Sequence, residues 1–110
     1  MDRLGLRITE PARRDLVQIL GLSAQAWGDD QADRYEADLY EAFDLVRQFP
    51  DLGTERPHLF LGSRAYPVGS HAVYYQIIEQ DIVIVRILHQ RQDPNLQCDD
   101  PDHPTKPGHQ

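Results

Sequence analysis

The seven residues Ile82-Val83-Ile84-Val85-Arg86-Ile87-Leu88 constrain this chain more than any other segment. They are strand formers, yet they do not alternate apolar with polar as a half-solvated antiparallel strand should. A strand of this kind is buried on both faces. In a chain of 110 residues, enough for one domain, the elements available to cover two faces are few. The rest of the sequence therefore has to be read for what can lie on either side of this strand.

Leu4, Leu6 and Ile8 alternate with Arg3, Gly5 and Arg7, the period-2 pattern of a short strand. Thr9 offers a helix N-cap, followed by Glu10 and Pro11 in the first turn. An acid there suits the helix dipole, and proline sacrifices no hydrogen bond. Ala12, Leu16, Ile19, Leu20 and Trp27 recur at helical spacing, which predicts a first helix from Glu10 to Ala26. Gly28 ends it, and Asp29 or Asp30 caps a second. One face of that second helix carries Ala32, Tyr35, Leu39, Ala42, Phe43, Val46 and Phe49; the other is acidic, and Pro50 closes it. A tight turn between the two makes them an antiparallel helical hairpin.

Residues 50–63 contain Pro50, Gly53, Pro57 and Gly62 and read as a long loop. Three strands follow: Arg64–Val68, His71–Ile78 and Ile82–Leu88, joined at Gly69-Ser70 and Glu79-Gln80-Asp81. The expected fold class is α+β: an N-terminal strand, then an antiparallel helical hairpin packed on one face of an antiparallel β-sheet. From Cys98 to Gln110 almost nothing is apolar, so residues 1–97 are expected to form the domain and 98–110 a disordered tail.

If Ile78 pairs with Ile82, then Ile77, Tyr75 and Val73 share one face with Val83, Val85 and Ile87. The opposite face carries Ile82, Ile84, Tyr74, Arg86, Ala72 and Leu88. Two helices cover one face. The other is expected to leave an apolar strip centred on Ile84, each large side chain forgoing about 1.5–3 kcal/mol in water. The loop of residues 50–63 folding over this strip is the alternative. Arg86, inside the strip, needs either a partner's carboxylate or a route to the sheet edge.

Net charge is −7, with 11 basic and 18 acidic residues, which argues against direct binding of nucleic acid. No apolar run is long enough to span a bilayer and the N-terminus lacks a signal-peptide core, so a cytoplasmic protein without membrane association is expected. Cys98 is the sole cysteine, flanked by Asp99 and Asp100, and is read as an incidental tail residue. His58, His71 and His89 lack metal-ligand spacing, and His103 and His109 fall in the tail; no metal or cofactor is expected. Arg64, His71, Arg86, His89 and Arg91 concentrate late in the chain. A histidine with several arginines is a workable set for cleaving a phosphodiester, so His89, Arg86 and Arg91 form the alternative catalytic set.

An ordered series of short motifs resembles ParE-type toxins of the RelE/ParE superfamily, from type II toxin–antitoxin systems. It comprises Ala12-Arg13-Arg14-Asp15-Leu16 with Ile19, Trp27-Gly28, and Gln31-Ala32 with Tyr35. Phe49-Pro50, Leu52-Gly53 and Arg56-Pro57 follow, then Arg64, Tyr66-Pro67-Val68-Gly69, His71 and Val73-Tyr74-Tyr75. Arg86, Leu88-His89, Arg91 and Asp93-Pro94 close the series. The resemblance covers residues 4 to 94. It implies a ParD-like antitoxin that wraps the toxin, and DNA gyrase as a target poisoned by binding rather than by catalysis. With the strip above, it nominates Tyr74, Ile82, Ile84, Arg86, Leu88 and Arg64 as partner-binding residues. The RelE branch instead cleaves mRNA on the ribosome with lysines and arginines of the domain body. Here the only lysine is Lys106, in the tail, which argues against that activity. A domain that only binds its partner, without toxicity, is the third reading.

Overall fold

The threonine at the end of the first strand does the work expected of it. Thr9 Oγ1 accepts the Ala12 N–H at 3.2 Å and starts helix α1, Glu10–Trp27, directly after strand β1, Gly5–Ile8. In the computed structural model, which describes residues 4–56 and 62–91, a single residue separates α1 from helix α2, Asp29–Gln48. That residue, Gly28, has φ of +94°, a region that strains residues with a Cβ. The α1 helix ends one residue beyond Ala26, the expected boundary.

Four strands follow: β2, Thr54–Glu55; β3, Arg64–Val68; β4, His71–Ile78; and β5, Asp81–His89. They form one five-stranded sheet in the order β1-β5-β4-β3-β2. The expected antiparallel sheet is corrected in one respect: β1 joins β5 in parallel, with Leu6 opposite Ile82 and Ile8 opposite Ile84. The helical hairpin is the crossover that makes such a parallel neighbour possible. The expected loop of 50–63 is also modified. Its first part turns tightly, with Leu52 N–H bonded to Phe49 O at 2.9 Å, and its second part supplies β2, too short to show a period. Residues 57–61, including His58, lie outside the described residues, as does everything from 92 onward, with Cys98, His103, His109 and the predicted tail.

The main core lies between the helices and one face of the sheet. Ala12, Leu16 and Ile19 from α1 and Leu39, Phe43 and Val46 from α2 meet Val73, Tyr75, Ile82, Ile84 and Ile87. Tyr75 is fully buried, yet its hydroxyl is satisfied: it donates to Pro50 O at 2.7 Å and accepts the Gly53 N–H at 2.8 Å. Gly53 is required there, since a Cβ would stand 2.8 Å from that hydroxyl.

The predicted pairing of β4 with β5 holds at one end and fails at the other. His71 to Tyr74 face His89 to Arg86 as expected, with Val73 opposite Ile87. A bulge between Tyr74 and Tyr75 then shifts the register, so that Tyr75 faces Ile84 and Ile77 faces Ile82. The turn is correspondingly tighter, Glu79-Gln80 with Glu79 at φ of +57°, and Asp81 belongs to the strand. A one-residue shift moves every side chain to the other face. Ile82 and Ile84 therefore point into the helical core, each 0% exposed. The exposed strip centred on Ile84 does not exist. A smaller apolar cluster of Ala65, Ala72, Tyr74 and Leu88 occupies the opposite face, and it too is buried.

Candidate functional site

Beyond the bulge, β5 carries Arg86, Ile87, Leu88 and His89 past the end of β1 and alongside α1. Asp15 of α1 reaches this stretch with both carboxylate oxygens. Oδ2 accepts Arg86 Nε at 2.8 Å and the Ile87 N–H at 2.9 Å, and Oδ1 accepts Arg86 Nη2 at 3.0 Å. The pair is mostly shielded from water, with side-chain exposures of 22% for Arg86 and 12% for Asp15. A bidentate, charge-assisted contact of this kind fixes both groups. Arg86 thus finds its carboxylate within the chain, correcting the expectation that a partner provides it.

Beside this pair lies a cleft of about 230 Å³, lined by Gln18, Ile19 and Leu22 of α1 and by His71 and His89 as well as Arg86. The two imidazole rings meet edge to face, their centroids 5.3 Å apart. His71 is tied to α2: its Nδ1 is 2.6 Å from the Tyr35 hydroxyl, which donates to Val68 O at 2.8 Å. The hydroxyl has one proton, and the carbonyl can only accept it. Assigning the network on that basis makes Nδ1–H of His71 the donor to Tyr35. His89 is the opposite case, because its Nδ1 accepts the Arg91 N–H at 3.0 Å, so its neutral form carries the proton on Nε2. Burial lowers the pKa of His71 below the ordinary histidine value, and His89 lowers it further, while Asp15 acts against them. Burial raises the Tyr35 phenol.

The other nominated residues are dispersed or already occupied. Arg64 sits near the far edge of the sheet, where it donates to Gly53 O at 2.7 Å and pairs with Glu55 at 3.2 Å. Tyr74 and Leu88 are buried at 7% and 4% exposure, leaving little surface for a partner. Ile82 and Ile84 are sealed in the core. Of the alternative catalytic set, Arg86 and His89 share the cleft, but the guanidinium is turned to Asp15. Arg91 is exposed and contributes its backbone N–H to His89. His71, Arg86 and His89 are thus brought together and Arg64 is not. Sequence reasoning assigned no role to Asp15 and placed Tyr35 only on the apolar face of α2, without its bond to His71. A signal for Asp15 was present, since an acid three residues after Ala12 and four before Ile19 flanks the buried side of α1.

Among the described residues, no group of three or more histidine, cysteine or acidic side chains could hold a metal. No helix among them is long and apolar enough to cross a membrane.

Comparison with known proteins matches this arrangement to one family. The family model described as "ParE toxin of type II toxin-antitoxin system, parDE" matches residues 6–94. The chain is 33% identical over 84 residues to Toxin ParE1 of Caulobacter vibrioides, covering 76% of this chain and 86% of that protein. It is 33% identical over 87 residues to Toxin ParE1 of Mycobacterium tuberculosis H37Rv, covering 78% and 89%. Its fold is similar to a chain of a chromosomal ParDE toxin–antitoxin system from P. aeruginosa, with TM-score 0.68 and 22% identity over 79% of this chain and 96% of that one. A chain of the RelBE2 toxin–antitoxin complex from Mycobacterium tuberculosis shares the fold at TM-score 0.51 and 21% identity, over 81% and 100% of the chains. With the helical hairpin, the five-stranded sheet and the ordered motifs all in agreement, the chain belongs to the ParE toxin family of type II toxin–antitoxin systems.

Proposed function

We propose that this protein is a cytoplasmic toxin that inhibits DNA gyrase by binding it and is held inactive by a ParD-like antitoxin. The antitoxin part is supported by relatives and structural neighbours described as ParE1 toxins and as ParDE and RelBE2 toxin–antitoxin complexes. One observation carries the choice of binding over catalysis: the guanidinium of Arg86, the cation at the imidazole cleft, is neutralised by Asp15. A phosphodiester-cleaving site requires cations directed at the phosphate. Expression without the antitoxin should arrest growth with DNA damage, and the neighbouring antitoxin gene should restore it. Purified protein should depress supercoiling by gyrase; supercoiling at the control rate removes the gyrase reading. Harmless expression favours the third reading, a domain that only binds its partner.

The juxtaposed His71 and His89, protonated on opposite nitrogens, favour a second reading: a ribosome-dependent endoribonuclease using His89, with Arg86 and Arg91. It requires mRNA cleavage in expressing cells that is lost in His89→Ala. Intact message in cells arrested by the wild-type protein rules it out.

A further inference from the structure

Helix α2 leaves a groove beside β3, with a volume of about 360 Å³. Asp38, Glu41, Ala42 and Leu45 line it from α2, at the i, i+3, i+4 and i+7 spacing of a single helix stripe, and Tyr66 and Pro67 stand opposite. The stripe has an apolar half and a charged half. Leu45 and Tyr66 are half-buried, and one turn beyond Leu45 the Phe49 side chain is 57% exposed. Asp38 and Glu41 are exposed acids without a basic partner among the described residues. The arginines of the same helix are engaged elsewhere: Arg34 donates to Gln31 at 3.4 Å, and Arg47 pairs with Asp44 at 3.5 Å. Two uncompensated carboxylates beside aliphatic and aromatic surface match a lysine or arginine side chain. Its cationic head meets the acids while its stem lies along Leu45 and Tyr66.

The same groove disfavours other occupants. Two-residue β2 pairs only with Arg64 and Ala65, so β3 runs on past it with an outer edge that stays open among the described residues. Pro67 lies on that stretch and brings no N–H, which works against an added strand. A second copy of this chain, or a nucleic acid, brings negative charge to acids that already repel it, since the chain's net charge is −7. We infer that the groove between α2 and β3 is the surface on which the target enzyme docks, taking from it a lysine or arginine with an apolar neighbour. This inference rests on the gyrase reading and names the surface used. An enzyme that handles DNA presents lysine and arginine to phosphate, and an acidic, partly apolar groove is complementary to such a surface.

The test separates this inference from the reading beneath it. Inhibition of supercoiling by purified gyrase is measured for the wild-type protein and for Glu41→Lys and Asp38→Lys, both at exposed helix positions. Each reversal should raise the concentration giving half-inhibition by about tenfold. Asp33→Lys reverses an acid of the same helix that does not line the groove, and should change it by less than about twofold. Affinity for the antitoxin encoded beside the protein should be unchanged in all three. Wild-type potency in Glu41→Lys and Asp38→Lys overturns the groove while the gyrase reading stands. An equal loss in Asp33→Lys traces the effect to the general charge of α2 and also overturns it. A matching loss of antitoxin affinity assigns the groove to the antitoxin instead. Supercoiling unaffected by the wild-type protein overturns both the reading and the inference.

Discussion

The two halves of the β4–β5 ladder use one pair of strands in two ways. On the turn side of the bulge, Ile82 and Ile84 pair with Ile77 and Tyr75 and are buried by helices. On the far side, Arg86 and His89 pair with Tyr74 and His71, and the chain satisfies them with polar partners. The first half is held by area removed from water, the second by charge and hydrogen bonds drawn from α1 and α2. The contrast explains why a strand that is nearly all apolar needs no outside cover. The bulge between Tyr74 and Tyr75 sends the isoleucines of one half inward, and Asp15 neutralises the one charge of the other half.

The comparison can be broken most sharply with Asp15→Ala, which strands the Arg86 charge in a shielded site. Stability by urea denaturation should fall by about 3–5 kcal/mol, and pairing it with Arg86→Met should recover much of the loss. Next, Ile84→Ala should cost about 2–5 kcal/mol, and Val85→Ala, at a half-buried bulge position, clearly less. Equal losses would undo the facing assigned to the turn-side half. Tyr75→Phe removes the bonds to Pro50 and Gly53 and should cost about 1–3 kcal/mol in the same assay, without changing the fold by circular dichroism.

The smallest expected effect is on pH dependence. The folded-state pKa of His71 lies below its unfolded value of about 6.5. The folded state therefore binds this proton less readily than the unfolded chain does. The stability associated with neutral His71 is fully present above about pH 6.5 and is lost as pH falls from there through the lower folded-state pKa. His71→Asn should flatten this part of the stability profile, and the His71 resonance should titrate with a midpoint below that of an exposed histidine.

Much of the fold was readable before any coordinates. Thr9, Pro11, Gly28 and Pro50 delimit the helices through local chemistry, and the spacing of Leu16, Ile19, Leu39, Phe43 and Val46 identifies the buried faces. His71 and His89 were legible as residue types with chemical capacity. Less legible was the register after the bulge. Apolar side chains at every position from Ile82 to Val85 state no preference for a face, so alternation could not choose between pairings one residue apart. The parallel seat of β1 was hidden as well, because its partner β5 is more than seventy residues away in the sequence. So was the Asp15–Arg86 pair, whose members are 71 residues apart.

The sequence by itself determined the helical hairpin, the order of the major strands and the supply of apolar side chains, since caps, spacing and composition act over a few neighbouring residues. Only the tertiary structure decided which isoleucines face the helices, which acid answers Arg86 and which strand edge stays open. Those outcomes depend on a bulge and on contacts between distant segments, and the energies that select them arise only when the whole sheet has closed against its helices.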